Sequence, residues 1–214
     1  RFPADNCFHL SLVVPYNTGT RIGETFAIDL SQDVDFEKHE LRIHGQMQKV
    51  EKTWYIKPPK YDSYRTIKMG ETLEKELKFA IQQRRINKLK YGGAYSKTYL
   101  LPDRSIAQIR ADIDVPYKEI LPLCVKENGA LLTPDSFKYC ARIIHYELNN
   151  PLFHAHCLRH THGTILAENG VNPKTVMERL GHKDITTTLQ TYTCNTDAMQ
   201  QTAVDVFENA IQTQ

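Results

Sequence analysis

No run of apolar residues in these 214 residues approaches the roughly 18 that cross a bilayer, so a membrane-spanning helix is not expected. The opening stretch RFPADNCFHLSLVV has no basic segment leading into a small-residue cleavage site, which argues against a signal peptide. It also has no initiating methionine and reads as part of a longer protein. Cysteine is sparse and scattered: Cys7, Cys124, Cys140, Cys157 and Cys194 are odd in number and include no Cys-x-x-Cys pair. That excludes a disulfide framework or a zinc ribbon and fits reduced thiols in a cytosolic protein. Internal repeats and low-complexity linkers are missing too, so the chain is neither a solenoid nor a string of tethered modules. With 41% apolar residues it can build the core of one domain.

A net charge of +2 hides an uneven distribution. Lys38 to Lys68 carries eight lysines and arginines against three acids, and Arg84 to Lys97 adds five against none. From Asp197 onward there are three acids and no base. A basic face opposite an acidic tail is what contact with a phosphate backbone needs, although a solvated surface has the same composition.

The periodicity predicts a mostly helical α+β chain. Residues from about Asp5 to Leu30 read as helical, broken at Asn17-Thr18-Gly19. Glu40 to Met69 alternates and is rich in β-formers (Leu41, Ile43, Val50, Trp54, Ile56, Thr66, Ile67). With Gly45 and Pro58-Pro59 as breakers, it predicts a small three-stranded antiparallel sheet. From Glu71 the period becomes helical, with Leu73, Leu77 and Ile81 in line. Tyr91 to Pro122, punctuated by Gly92-Gly93, Pro102, Pro116 and Pro122, resists assignment. Thr133-Pro134-Asp135 starts a helix whose apolar face is Phe137, Cys140, Ile144 and Leu148. Asn172-Pro173 opens a short helix closed by Gly181. A last helix runs from about Asp197 to Ile211, with Val204, Phe207 and Ile211 on one side.

Chemistry concentrates in His156 to Tyr192, HCLRHTHGTILAENGVNPKTVMERLGHKDITTTLQTY. It holds a His-x-x-Arg step (His156, Arg159), a Leu-Gly-His at Leu180–His182, and Tyr192 ten positions after His182. An arginine fork can grip two phosphate oxygens, imidazoles donate hydrogen bonds or take protons, and a tyrosine can act as nucleophile. Upstream, Arg21 follows a tight turn with Glu24 three residues on, placed to orient it. Lys60 sits in the turn Pro59-Lys60-Tyr61-Asp62-Ser63-Tyr64-Arg65 between the second and third strands. Singly, each has a bland reading: a surface arginine, a solvated hairpin lysine, a capping histidine, a core tyrosine. His154, His156, His160 and His162 also crowd together, and His156/His160 has the spacing of a zinc pair. Cys157 stands where a hydrolytic zinc helix would place glutamate, however, and Arg159 would repel the cation. No metal or cofactor is expected.

Taken in order, these residues resemble the tyrosine recombinases, in particular the phage and conjugative-transposon integrases. The matching positions are Thr18-Gly19-Thr20-Arg21-Ile22-Gly23-Glu24, Pro59-Lys60 with Arg65 five on, His156-Cys157-Leu158-Arg159-His160-Thr161, Leu180-Gly181-His182 and Tyr192. The likeness runs from about Leu12 to the last helix. Two features depart from the family pattern: the long Tyr91–Pro122 segment, and Cys194-Asn195 where a histidine is common.

The resemblance implies the tyrosine recombinase catalytic-domain fold over residues 1–214, with the family's N-terminal DNA-binding domains outside this chain. It implies attack by Tyr192 on the scissile phosphate to give a 3′-phosphotyrosyl link and a free 5′-hydroxyl, without ATP or metal. Arg21 and Arg159 would neutralise the non-bridging oxygens and His182 would donate a further hydrogen bond. Lys60 would protonate the leaving oxygen and His156 would accept the tyrosyl proton. Its implied partners are double-stranded DNA at core recombination sites, further protomers in a tetrameric synapse, and accessory DNA-bending or directionality factors, in a bacterial cytoplasm and with no membrane. The helix 197–211 would dock on a neighbouring protomer or on its own domain. Two other classes compete: a DNA-binding module without chemistry, which has no use for Tyr192, and a type IB topoisomerase, which shares the chemistry and differs in outcome.

Overall fold

Turn and cap chemistry sets most helix boundaries in the computed structural model, which describes residues 2–183 and 197–212. Helix α1 (His9–Thr18) ends on left-handed Gly19, whose N–H bonds back to Pro15 O at 2.8 Å. Helix α2 (Ile22–Ala27) follows after two residues, so the predicted helical stretch is broken where Asn17-Thr18-Gly19 said it would be. Helix α3 (Glu71–Tyr91) buries Leu73 and Leu77. Helix α4 (Pro134–Glu147) opens on a reciprocal cap between Thr133 and Ser136, with proline in its first turn. It buries Phe137, Cys140 and Ile144. Leu148, expected on the same face, is exposed because the helix stops at Glu147 and the chain turns away. Helix α5 (Ala155–Glu168) packs on α1, and α6 (Pro173–Leu180) packs on α5. The side chain of Asn172 caps α6 by accepting from the Lys174 N–H at 2.8 Å. Helix α7 (Asp197–Gln212) closes the described chain.

The strands of Glu40–Met69 do not form one three-stranded sheet. Strand β2 (Glu40–Ile43) pairs antiparallel with β1 (Val34–Asp35) on one side and β5 (Arg65–Lys68) on the other. Between them, β3 (Gln46–Val50) and β4 (Thr53–Lys57) form a separate hairpin. His44-Gly45 separate β3 from β2, and β3 pairs with β4 rather than with β2, the hairpin packing on α2. Register follows burial: Leu41 faces Ile67 and Met47 faces Ile56, and all four are in the core.

Tyr91–Pro122 proves to be a second three-stranded antiparallel sheet, with β6 (Ser96–Leu100) between β7 (Ile106–Arg110) and β8 (Lys118–Ile120). Backbone hydrogen bonds sew it to the rest. Ile56 N–H bonds to Arg104 O at 3.0 Å. Leu30 N–H bonds to Leu121 O at 2.8 Å, and Leu123 N–H to Ile28 O at 2.9 Å. One hydrophobic core, including Val14, Phe26, Leu41, Ile43, Leu73, Leu77, Leu132 and Cys140, joins helices and strands. Among the described residues no helix is long and apolar enough to cross a membrane.

Candidate active site

Four elements converge beside α1: the α1–α2 junction, the β4–β5 turn, the start of α5 and the end of α6. Arg21 is the N-cap of α2, in extended conformation. Its N–H donates to Glu24 Oε2 and its Nη1 to Glu24 Oε1, both at 2.8 Å, so one carboxylate fixes both ends of the residue. The same guanidinium donates through Nη2 to Gly181 O at 3.2 Å and through Nη1 to Ser63 Oγ at 3.4 Å. Arg21 therefore ties its own helix to the β4–β5 turn and to the end of α6.

Arg159, one turn into α5, is 1% exposed and is among the largest fully buried side chains. Its Nη1 donates to Gly19 O at 2.6 Å, reaching across to the end of α1. Gly19 permits that approach. Its φ is +69°, and a Cβ there would lie 2.3 Å from Leu180 Cδ2 and 2.9 Å from His162 Cδ2. Only a glycine lets α1, α5 and α6 meet so closely.

Two histidines lie in the field of these arginines. His156 is pushed down to about 4, first by burial and then by the charges of His160, Arg159, Arg21 and His154. His182 is also pushed down to about 4, by burial and then by Arg159, Arg21, His156 and Arg65. Both imidazoles are therefore neutral at pH 7, one nitrogen of each able to accept a proton or hydrogen bond and the other to donate. His156 and His160 stand edge to face, with ring centroids 4.6 Å apart.

Lys60 sits at the rim of this cluster, exposed, in a single 3₁₀ turn, Lys60–Asp62. Its ammonium lies 5.0 Å from the centroid of the Tyr61 ring. Tyr61 and Asp62 both have positive φ (62° and 51°), and Ser63 Oγ closes the turn on Lys60 O at 2.9 Å. A groove of about 740 Å³ runs between this turn, β5 and the end of α6, past Tyr64, Arg65, Glu178 and His182. The structure thus brings Arg21, His156, Arg159 and His182 together, and Lys60 stands in the turn that Ser63 bonds to Arg21. Tyr192 lies outside the described residues.

Three residues given no role by the sequence complete the cluster. Arg65 pairs with Glu24, Nη2 to Oε2 at 2.8 Å and Nη1 to Oε1 at 3.3 Å. Burial, the largest single influence on Glu24, raises its pKa; Arg65's hydrogen bond and charge, with the N–H and charge of Arg21, outweigh it and hold the carboxyl below its usual range. Arg179 donates to Lys68 O and Asn17 O, both at 3.1 Å, and to His162 Nε2 at 3.0 Å. Of the three, Arg65 had a sequence signal in its fixed distance from Lys60, and His162 stood out only as one of the crowded histidines weighed as a metal site; nothing in spacing distinguishes Arg179 from surface residues.

In chemical terms the site offers two fixed guanidiniums and two neutral imidazoles, one of which, His182, lines the groove, a set suited to a tetrahedral oxyanion such as a phosphodiester. The chain is 28% identical over 207 residues to a "Tyrosine recombinase XerC-like" protein of Caldanaerobacter subterraneus subsp. tengcongensis, covering 92% of this chain and 48% of that one. It is 27% identical over 183 residues to the "Transposase from transposon Tn916" of Enterococcus faecalis, covering 85% of this chain and 40% of the relative. It therefore spans about half the length of the curated relatives it matches. The Tn1549 transposon integrase, solved in complex with a circular intermediate DNA, superposes with a TM-score of 0.68 at 23% identity, over 92% of this chain and 58% of that one. That likeness identifies the fold as that of a tyrosine recombinase catalytic domain. The profile of the phage integrase family matches residues 5–199, nearly the whole chain, and the protein belongs to that family.

Proposed function

We propose that this chain is the catalytic domain of a site-specific DNA recombinase that integrates and excises a mobile element. The observation that carries the reading is the pairing of Arg21 and Arg159 around His156 and His182, which are held neutral at physiological pH. Arg21 and Arg159 grip the non-bridging oxygens of the scissile phosphate, and His182 donates a third hydrogen bond. The Tyr192 hydroxyl loses its proton to His156 and its oxygen attacks phosphorus. A tyrosyl–phosphorus bond forms as the bond from phosphorus to the 5′-oxygen breaks, and that oxygen takes a proton from Lys60. The new ester conserves the energy of the broken one, so the reverse attack by another strand's 5′-hydroxyl reseals DNA.

The same reading assigns the partners. The protein works inside a bacterial cell on double-stranded core sites, as a tetramer formed by two DNA-bound pairs, with accessory bending or directionality factors. DNA-binding domains outside this chain complete the grip on DNA. Helix α7 docks on a neighbouring protomer. Incubation with a nicked duplex of the element's end tests the chemistry: a denaturant-resistant protein–DNA adduct is expected, and it should disappear in Tyr192→Phe. An adduct that persists in that variant removes Tyr192 from its role.

A further inference from the structure

Arg65 spends every guanidinium nitrogen on the elements that carry the site. Nη2 and Nη1 form a fork on Glu24, at 2.8 and 3.3 Å. Nε donates to Arg179 O at 2.8 Å, near the end of α6, and Nη1 also reaches Ser63 O at 3.0 Å, in the turn that bears Lys60. The side chain is 7% exposed, and the Glu24 side chain it meets is fully buried. The second half of the Glu24 carboxylate's work is to hold Arg21. On the α6 side the packing is equally close: a Cβ on Gly181 would lie 2.8 Å from Arg65 Nη1. Gly181 O in turn accepts from Arg21, and the next residue is His182.

We propose that Arg65 is a positioning residue of this active site: by clamping Glu24 and the end of α6 at once, it sets Arg21 and His182 in register on the phosphate. An arginine that only stabilised the fold would need a carboxylate partner. This one joins three elements, α2, the β4–β5 turn and α6, each of which carries one of the proposed catalytic groups. Lysine cannot substitute, since a point charge on a flexible stem cannot serve a bidentate carboxylate and two carbonyls in one plane. The inference rests on the recombinase reading of the site, and its test separates the two.

The test compares the full chain with Arg65→Lys and Glu24→Gln on the nicked duplex, measuring single-turnover cleavage at saturating DNA, the half-saturating DNA concentration and the thermal midpoint. Arg65→Lys should cleave about 10²-fold more slowly, the size expected of a small misplacement, while half-saturation moves less than about threefold. In an Arg21→Lys background the Arg65→Lys change should cost little more, because both act on one guanidinium. A folded Arg65→Lys protein that cleaves within threefold of wild type overturns the proposal, as does a loss that simply multiplies with Arg21→Lys. If Arg65→Lys does not melt cooperatively, Glu24→Gln reads the same clamp, and unimpaired cleavage by that folded variant also overturns it. A readout independent of activity is the NMR titration of the His182 ring in folded Arg65→Lys, whose midpoint should rise toward the ordinary histidine value as the end of α6 loses its clamp. An unchanged His182 midpoint overturns the positioning role even if wild type forms no adduct, an outcome that would separately sink the recombinase reading.

Discussion

Arg179 donates its Nε–H to His162 Nε2 at 3.0 Å, and His162 donates its Nδ1–H to Tyr16 O at 2.8 Å. The pair is a relay of neutral imidazole between a cation on α6 and the end of α1. It works only while His162 Nε2 keeps its lone pair. Burial, then the charge of Arg179, pushes His162 down to about 4, with the Tyr16 contact pulling the other way and Arg159 adding to the depression.

This fixes the sign of an acid transition. Between about pH 6.5 and 4 the unfolded chain binds a proton at His162 that the folded chain does not, so stability falls as pH falls through that window. His156 and His182, depressed to about 4 as well, push in the same direction. His162 alone contributes on the order of 1–3 kcal/mol, since each tenfold loss of proton affinity on folding is worth about 1.4 kcal/mol. Thermal midpoints from pH 8 to 4.5 should drop steeply below about pH 6.5. His162→Gln should start lower and decline less; an equally steep decline would remove His162 from the transition.

Gly19→Ala tests the three-helix junction. The substitution puts a Cβ into Leu180 and His162 at φ +69° and should cost about 2–4 kcal/mol, from left-handed strain plus overpacking. Gly170→Ala is the control, because it has the same hand of backbone (φ +72°) with nothing within 4 Å. Strain alone should cost it about 1–2 kcal/mol. Equal losses in chemical denaturation would mean that contact with Leu180 and His162 adds nothing. Since Gly19 O also receives Arg159, the Gly19 variant should lose cleavage as well.

How much of this was legible beforehand depends on whether a residue's role is local. Helix ends were, because Thr133, Pro134, Asn172 and Gly181 act within a few residues of themselves. Arg21 with Glu24 was legible for the same reason, three residues apart on one short helix. The pairing of β2 with β5 across an intervening hairpin was not, since alternation shows strands but not partners. The β6–β8 sheet was obscured by its punctuation: Pro102 and Pro116 break its strands apart while Thr98, between Gln108 and Ile120, holds them in register. Arg65 and Arg179 were least legible as site residues, because their acceptors lie up to 162 positions away in sequence, as for Arg179 and Asn17.

Lys60 is expected to act on the leaving oxygen. Its turn is solvent-exposed, its ammonium rests over Tyr61, and Ser63 links the turn to Arg21. Lys60→Ala should slow cleavage of an ordinary duplex by about 10²–10⁴-fold, the usual worth of a general acid. Replacing the 5′-bridging oxygen with sulfur gives a leaving group that departs without a proton, its conjugate acid having a pKa of about 8.5. On that substrate Lys60→Ala should cleave within about tenfold of wild type. Equal slowing on both substrates would instead place Lys60 in binding or positioning.

Helix α7 presents Val204, Phe207 and Ile211 at 54%, 64% and 51% exposure, at spacings of three and four that put them on one face. Covering side chains that are already about half-buried is worth roughly 1 kcal/mol each, so a partner surface that covers all three has something to gain. If that surface belongs to a neighbouring protomer, Phe207→Asp should leave the thermal midpoint of the free chain nearly unchanged. The same substitution should deplete complexes larger than one protomer per site when DNA carrying paired sites is analysed by light scattering. A variant whose free chain melts several degrees lower would show that α7 packs on its own domain, and the docking in trans would then have to be abandoned.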